Sequence, residues 1–427
     1  MKKPPKAGRS EIRSGPWRLL GPGLVTGSAD DDPSGIATYS QAGAQFGFAL
    51  CWTMFLTLPF MAAIQIISAA IGWQTRRGLA HNLAQHLPSP ILYGLVALLV
   101  VANTINIAAD LAAMAEALRL VIGGPLLVYV AVFGFGCLAA EVFIPYHRYA
   151  GYLKFLTLVL LVYVATAFSI AVPWGHVMAS TLTPVVKLDR DYLLTIVAVF
   201  GTTISPYLFF WQASQEAEES RLSYRRALRN GDRLGQQSLS HIATDTWIGM
   251  VFSNLIAFFI IVTTAGALHA HGITKIETAS QAAEALRPIA GELTFALFAA
   301  GIIGTGLLAV PVLAGSAAYA VAEAFGLRGS LELPASRALG FYGIVGAATL
   351  GGAALAATRI DPIAMLFWTA VINGIVAVPI MIAVMLVISS SGGGKLFALP
   401  RWLVVLGWLA SVLMTAAVGL FAVSALV

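Results

Sequence analysis

The sequence predicts an all-α membrane protein of eleven transmembrane helices, arranged as two inverted repeats of five spans with one further helix at the C-terminal end. Three observations carry this. Of 427 residues, 58% are hydrophobic and 11% charged, where a soluble domain carries about a quarter charged. Apolar runs of the length that crosses a hydrocarbon core, about 20 residues, follow one another with only short polar joins. Prolines and glycines interrupt the first and the sixth of these runs at matching places. The mean hydropathy of +0.83 excludes a soluble enzyme, and 41 glycines are tolerated because membrane helices accept them.

Residues 1–18 form a basic tail, with no small-residue cleavage pattern after a clean apolar stretch, so no removable signal peptide is read. Residues 19–427 read as one integral domain. Spans are predicted at 19–44, 47–72, 90–118, 125–144 and 150–172 for the first repeat (19–172). The second repeat (191–388) has spans at 191–217, 245–268, 293–324, 337–357 and 362–388, and the extra helix is 402–426. The stretch Glu218 to His241, with Arg221, Arg225, Arg226, Arg229 and Arg233, is polar enough to form a separate cytoplasmic element, a short amphipathic helix or a connecting loop. Cys51 and Cys137 fall inside apolar runs, so no disulfide framework is indicated.

The net charge of +5 suggests nucleic acid until the positions are read. With the N-terminus inside, inner segments hold 19 Lys and Arg and outer segments six (Arg119, Lys187, Arg190, Lys275, Arg287 and Arg359). Cytoplasmic loops carry such an excess. The expected partner is therefore the lipid bilayer of a bacterial inner membrane, not nucleic acid, with the N-terminus cytoplasmic, the C-terminus external and a monomer favoured.

The first span reads Gly-Ser-Ala-Asp-Asp-Asp-Pro-Ser-Gly over 27–35 and the sixth Gly-Thr-Thr-Ile-Ser-Pro-Tyr over 201–207. Pro33 and Pro206 each remove a backbone donor and clash with the preceding turn; Gly35 and Gly201 loosen the backbone nearby, and Ser34 lies within the first break. Unwound backbone at membrane depth survives only around a protein-lined or watery interior. Interrupted helices five spans apart mark the substrate site of an inverted-repeat transporter.

Asp30, Asp31 and Asp32 stand at the first break. A carboxylate at the bilayer centre costs about 2.5–3.5 kcal/mol on insertion scales, so three in succession need a cation, water or capping duty. Asp32 is read as the principal cation ligand, with Asp30 or Asp31 attracting the ion; an aspartate here can also cap the following half-helix. Thr202, Thr203 and Ser205 bracket the second break and offer hydroxyl and carbonyl oxygens, a donor set for hard cations such as Mg²⁺ or Mn²⁺. The nearest thioethers, Met54 and Met250, are expected to lie helices away. Asp110, embedded in span three, is a candidate relay. Asn254 in span seven is expected to hydrogen-bond a carboxylate, unwound backbone or an interhelical carbonyl. The aromatics Tyr207, Phe209, Phe210 and Trp211 are read as lipid or packing contacts. All seven histidines fall in loops or at span ends, and His269 and His271 read as a solvated pair. No nucleophile–base constellation and no phosphate-binding loop occurs, so transport without ATP hydrolysis, and no enzyme activity, is expected.

On these residues the chain resembles the NRAMP family of divalent metal transporters, which share the LeuT-like fold of the amino acid, polyamine and organocation superfamily. The likeness covers nearly the whole chain. It is carried by Gly21-Pro-Gly leading to Asp32-Pro33-Ser34-Gly35-Ile36-Ala37-Thr38, by Ala109-Asp110-Leu111-Ala112 and by Ser205-Pro206-Tyr207, with support from 245–254 and the Gly/Ala-rich 297–325. The departures are as informative. The family's Asp-Pro-Gly-Asn keeps only Asp32 and Pro33, with Gly35 in place of the metal-binding Asn. Its Met-Pro-His becomes Ser205-Pro206-Tyr207, a second histidine becomes Gln212, and the Glu after the span-three Asp becomes Ala113.

The resemblance implies the fold and a cation route, and the loss of the thioether removes the donor that favours Mn²⁺, Fe²⁺ or Cd²⁺ over Mg²⁺ and Ca²⁺. The NRAMP-related magnesium transporters are similar in lacking the Met. The expected function is alternating-access import of a divalent cation as transported substrate, with no resident cofactor. Proton-coupled Mn²⁺/Fe²⁺ symport, with H⁺ as co-substrate through Asp110 and Asp32, is the first alternative. Symport of an organic amine on the same fold is the second.

Overall fold

The computed structural model describes residues 22–144, 157–230, 239–358, 360–390 and 399–425. The basic tail, Gly21, His147, Arg148, Lys154, Arg233, Arg359, Lys395 and the start of span five lie outside the described residues. Every regular element among the described residues is helical, as a polypeptide in lipid requires when its backbone groups must be satisfied within the segment.

Both interrupted spans are broken at their prolines. Span one is α1 (Pro22–Asp30) and α2 (Pro33–Phe46); α3 (Cys51–Thr75), the short α4 (Leu79–Ala84), α5 (Ser89–Ile122) and α6 (Leu126–Phe143) follow. Then come α7 (Leu161–Ser169) and α8 (Trp174–Leu182), bent by 113° from one another. Span six is α9 (Arg190–Thr203) and α10 (Pro206–Asn230). The remaining helices are α11 (Leu239–Ala267), the short α12 (Ala279–Glu284) and α13 (Arg287–Ala290), α14 (Thr294–Ala324), α15 (Leu339–Ala356), α16 (Pro362–Ser389) and α17 (Arg401–Ser424).

Among the described residues nine helical runs are long and apolar enough to cross a membrane, ten with the bent α7–α8 pair counted as one span. The run over 33–75 is 43 residues long and holds both the second half of span one and span two, α2 and α3, joined through Gly47, at φ +58°, by the short turn Gly47–Leu50. One reading is corrected. The basic stretch after Glu218 is not a separate element: α10 runs on as one helix from Pro206 to Asn230.

The packing shows the inverted relation of the halves. α1 of span one lies along α11 of span seven, and α10 of span six lies along α3 of span two, the reciprocal pair that a two-fold in the membrane plane generates. The half-helix α2 meets α9, and α1 meets α10, so the two breaks face each other; α5 and α14, the third and eighth spans, pack beside them. α17 lies outside both repeats against α3, α9 and α16.

Small residues set these distances. Along the α1–α11 seam a Cβ on Gly27 would overlap the carbonyl of Gly249, and a Cβ on Gly23 would stand 2.7 Å from the amide of Thr246. Backbone approaches of this kind drive helix association where lipid supplies no hydrophobic force.

Candidate functional site

The prolines decide which carbonyls are left over. In an α-helix the carbonyl of residue i accepts from the amide of i+4. Pro33 has no amide for Ala29, and Pro206 has none for Thr202. Each break therefore orphans one carbonyl, and at each a hydroxyl replaces the missing donor. Ser205 Oγ bonds back to Thr202 O at 2.8 Å and Gly201 O at 2.8 Å, within its own segment. Tyr207 OH donates to Ala29 O at 3.0 Å, across from the second repeat to the first.

Asp32 is fully enclosed, 2% exposed, and its two oxygens have different duties. Oδ1 caps α2: it accepts from Gly35 N at 2.7 Å and from Ser34 Oγ at 2.6 Å. Oδ2 faces the interior, where Asn106 Nδ2 of α5 lies at 3.3 Å and Tyr207 OH of α10 at 3.4 Å. Bonds of that length are at the weak end of the range. The capping and ligand readings of Asp32 are thus not alternatives, since one oxygen is locked into the helix end and the other is loosely held where the two repeats meet.

Asp30 and Asp31 point elsewhere. Ser253 Oγ of α11 lies 2.6 Å from Asp30 Oδ2 and 3.1 Å from Asp31 Oδ1, so one hydroxyl serves two buried carboxyls. Asp30 Oδ1 and Asp31 Oδ2 have no hydrogen-bond partner. Among the described residues no three His, Cys, Asp or Glu side chains converge as a metal cage, which accords with Asp32 facing α5 and α10 while its two predecessors face α11.

The other predicted residues divide in the same way. Thr202 lies directly over Gly35: a Cβ there would sit 3.0 Å from Thr202 Oγ1, so no side chain at position 35 fits without the threonine moving. Asp110 is buried one helical turn beyond Asn106, with neither oxygen partnered. Gln212 is directed to α11, bonding Thr246 Oγ1 at 2.8 Å. Asn254 bonds neither a carboxylate nor a carbonyl; its Nδ2 meets Met61 Sδ at 3.4 Å. Soft sulfur is thus nearer than Met54 and Met250 suggest, for Met114 and Pro33 also flank the same glycine, Gly306. Tyr207, Phe209, Phe210 and Trp211 are at most 1% exposed, so they are interior packing and not lipid contacts. His269 is exposed, but Nδ1 also lies 2.8 Å from Ala44 O at the end of α2.

Asn106, Ser253 and the interhelical role of Tyr207 escape a sequence reading, because an Asn or Ser inside a helix carries no positional signal until its neighbour is known. Two further buried acids have structural settings. Glu323 accepts from His81 N at 3.3 Å, at the start of α4, and Glu218 accepts from Tyr319 OH at 2.7 Å.

Two polar-lined cavities lie along the helices that carry the breaks, one beside the C-terminal part of α2 and the other beside the middle of α10. One of about 700 Å³ lies between α2, α9 and α16 and includes Gln41, Gln45, Asp191, Glu277 and Asp361. The other, of about 550 Å³, lies against α10, α4 and the end of α14 and includes Arg77, Arg221, Arg225, Glu218 and Glu323.

Comparison with known proteins places this arrangement. A family model described as natural resistance-associated macrophage protein-like matches residues 23–424. A divalent metal cation transporter MntH of Verminephrobacter eiseniae is 29% identical over 297 residues, which cover 68% of this chain and 64% of that protein. The MntH of Klebsiella pneumoniae is 26% identical over 301 residues, 68% of each. The match therefore spans about two thirds of these relatives' length, and just under that for the first. Among solved structures, a manganese transporter of Eremococcus coleocola superposes with a TM-score of 0.71 at 16% identity, covering 97% of this chain and 87% of that one. A nucleobase–cation symport transporter superposes at 0.57 and 13% identity, covering 95% and 92%. At such identities the likeness shows the fold, which this chain shares with those transporters.

Proposed function

Because the chain belongs to the natural resistance-associated macrophage protein-like family, we propose that it is a membrane carrier, not an enzyme, that imports a divalent cation by alternating access. Mg²⁺ and Mn²⁺ are the favoured ions, and the transport is secondary-active or facilitative. The names of its MntH relatives support the substrate class, and the oxygens of Asp32, Ala29, Thr202 and Ser205 at the breaks support hard ions.

The observation that carries the reading is Oδ2 of Asp32. It is a buried carboxyl oxygen between the two repeats, held by two long hydrogen bonds while its partner oxygen is fixed by two short ones. Coordination through Oδ2 leaves the α2 cap intact. The Ala29 and Thr202 carbonyls and the Ser205 hydroxyl are within the same pair of breaks and complete the proposed donor set. Asp30 and Asp31 contribute negative charge from the α11 side. The ion enters from the cavity beside α2 and leaves toward the cavity beside α10. The excess of Lys and Arg in the inner segments supports a cytoplasmic N-terminus, an external C-terminus and inward transport across a bacterial inner membrane, and the carrier is proposed to act as a monomer.

The test is uptake of Mn²⁺ and Mg²⁺ by proteoliposomes. The wild type should concentrate or equilibrate one of them and Asp32→Ala should not; equal flux through both refutes the assignment. A second reading, proton-coupled symport, is favoured by Asp110, whose two buried oxygens have no partner on the helix that also supplies Asn106. Lumenal acidification that accompanies metal uptake and is lost in Asp110→Asn would select it.

A further inference from the structure

We infer that the Tyr207 hydroxyl competes with the transported cation for the oxygens of Ala29 and Asp32, and so sets the affinity of the site and ties cation binding to the release of α10 from α1. The inference rests on the proposed cation transport and deepens it.

Tyr207 follows Pro206 at the start of α10 and is 1% exposed. Its ring is held among buried side chains, so the hydroxyl has few places to go. It donates to Ala29 O at 3.0 Å, and Asp32 Oδ2 lies 3.4 Å away. Both acceptors belong to the first break and the donor to the second. Ala29 O is available to it only because Pro33 lacks an amide.

These two acceptors are the kind of oxygens, one carbonyl and one carboxyl, that a hard cation takes. A phenol has a single proton, which serves one acceptor well and the other weakly. A cation that engages both oxygens must displace that proton from each. Ser205 behaves differently: its hydroxyl turns back on Gly201 and Thr202 of its own segment, so its release would not free one repeat from the other. Asn106, the other donor to Oδ2, comes from α5 and does not reach Ala29 in any described contact. Tyr207 is therefore the side chain whose displacement removes the described hydrogen bonds from α10 to the first break.

The consequence is opposite to that of a ligand. If Tyr207 contributed an oxygen to the ion, its removal would weaken binding; as a competitor, its removal strengthens binding. Titration calorimetry of the purified full chain with Mn²⁺ and with Mg²⁺ distinguishes them. Tyr207→Phe is expected to bind about tenfold more tightly than wild type, the effect of removing one or two hydrogen bonds that the ion must otherwise break. Unchanged or weaker binding by a folded Tyr207→Phe overturns the inference. Infrared difference spectra of the wild type give a second readout that needs no variant. Adding Mn²⁺ should shift a tyrosine C–O stretch as the hydroxyl leaves its acceptors, and a tyrosine region that does not move while Mn²⁺ binds also overturns it. A wild type that binds neither ion refutes the carrier reading itself and the inference with it.

Discussion

Replacing Asp32 by asparagine separates the two duties of that side chain. Asparagine keeps an oxygen for Gly35 N and Ser34 Oγ, which now approach to 2.7 and 2.6 Å. It is among the best N-caps, so the α2 cap should change by only a few tenths of a kcal/mol, whereas alanine there costs about 1 kcal/mol. At the other end the change is of kind. An amide nitrogen in place of Oδ2 meets Asn106 Nδ2 donor to donor, so the 3.3 Å bond is lost, and toward Tyr207 the 3.4 Å contact reverses, with the amide donating to the phenol oxygen. Tyr207 retains Ala29 O, so the rearrangement costs roughly 1 kcal/mol. For a divalent ion the loss of its anionic oxygen should exceed the 10–100-fold effect typical of removing a supporting group around a metal. The assay is initial Mn²⁺ and Mg²⁺ uptake in proteoliposomes at matched protein density, with thermal unfolding in detergent measured on the same preparations. Asp32→Asn should melt close to wild type and Asp32→Ala lower, while neither transports. Uptake by Asp32→Asn at half the wild-type rate or more would sink the reasoning, because Oδ2 would then not be the ligand.

Ser253→Ala removes the one hydroxyl shared by Asp30 and Asp31 and should destabilise the protein by about 1–3 kcal/mol; an unfolding midpoint equal to or above wild type contradicts this. A Cβ on Gly201 would overlap the carbonyl of Ala370, whereas one on Gly419 meets nothing within 4 Å. Gly201→Ala should therefore cost about 1–3 kcal/mol by forcing α9 from α16 and Gly419→Ala should not, and equal melting of the two would refute the packing. Burial, and then the Arg77 cation, hold the His81 imidazole below its ordinary value, so the folded state favours the neutral ring. Stability from this source is present above the ordinary imidazole pKa and is lost as the pH falls through it toward the lowered one. His81→Gln should flatten the fall in melting temperature over that range, and identical pH profiles would exclude the effect.

Much of this molecule was legible in its sequence. Pro33 and Pro206 announce their breaks because a missing amide is a property of the residue itself, and the acids at 30–32 announce an interior site because charge at that depth is costly. The join of spans one and two was less legible, since nothing in the letters around Gly47 distinguishes a tight turn inside a helical run from a loop. The site's outer donors were illegible for another reason. Ser205 looks like a ligand by its position, but that its proton goes to the carbonyls of Gly201 and Thr202, leaving only its lone pairs for an ion, could not be read from the letters. Asn106 and Ser253 look like ordinary helix residues until α5 and α11 come to lie beside the first break. Gln212 stands where the family has a histidine and Asn254 reads toward a carboxylate or carbonyl, but Thr246 and Met61 are the partners that packing gives them.

The backbone seam between α1 and α11 has a mechanical consequence. A nine-residue helix at 1.5 Å per residue is a rod about 14 Å long. Pivoted at its aspartate end, a rod of that length tilted by about 20° moves its far tip by about 5 Å. Along Gly23 and Gly27 the two backbones touch directly, and at the far tip Gly23 N donates to Asp245 Oδ2 at 2.7 Å. A short lever of this kind, once let go by Asp245, would turn a local event at its fulcrum into an opening on the scale of an ion with part of its water.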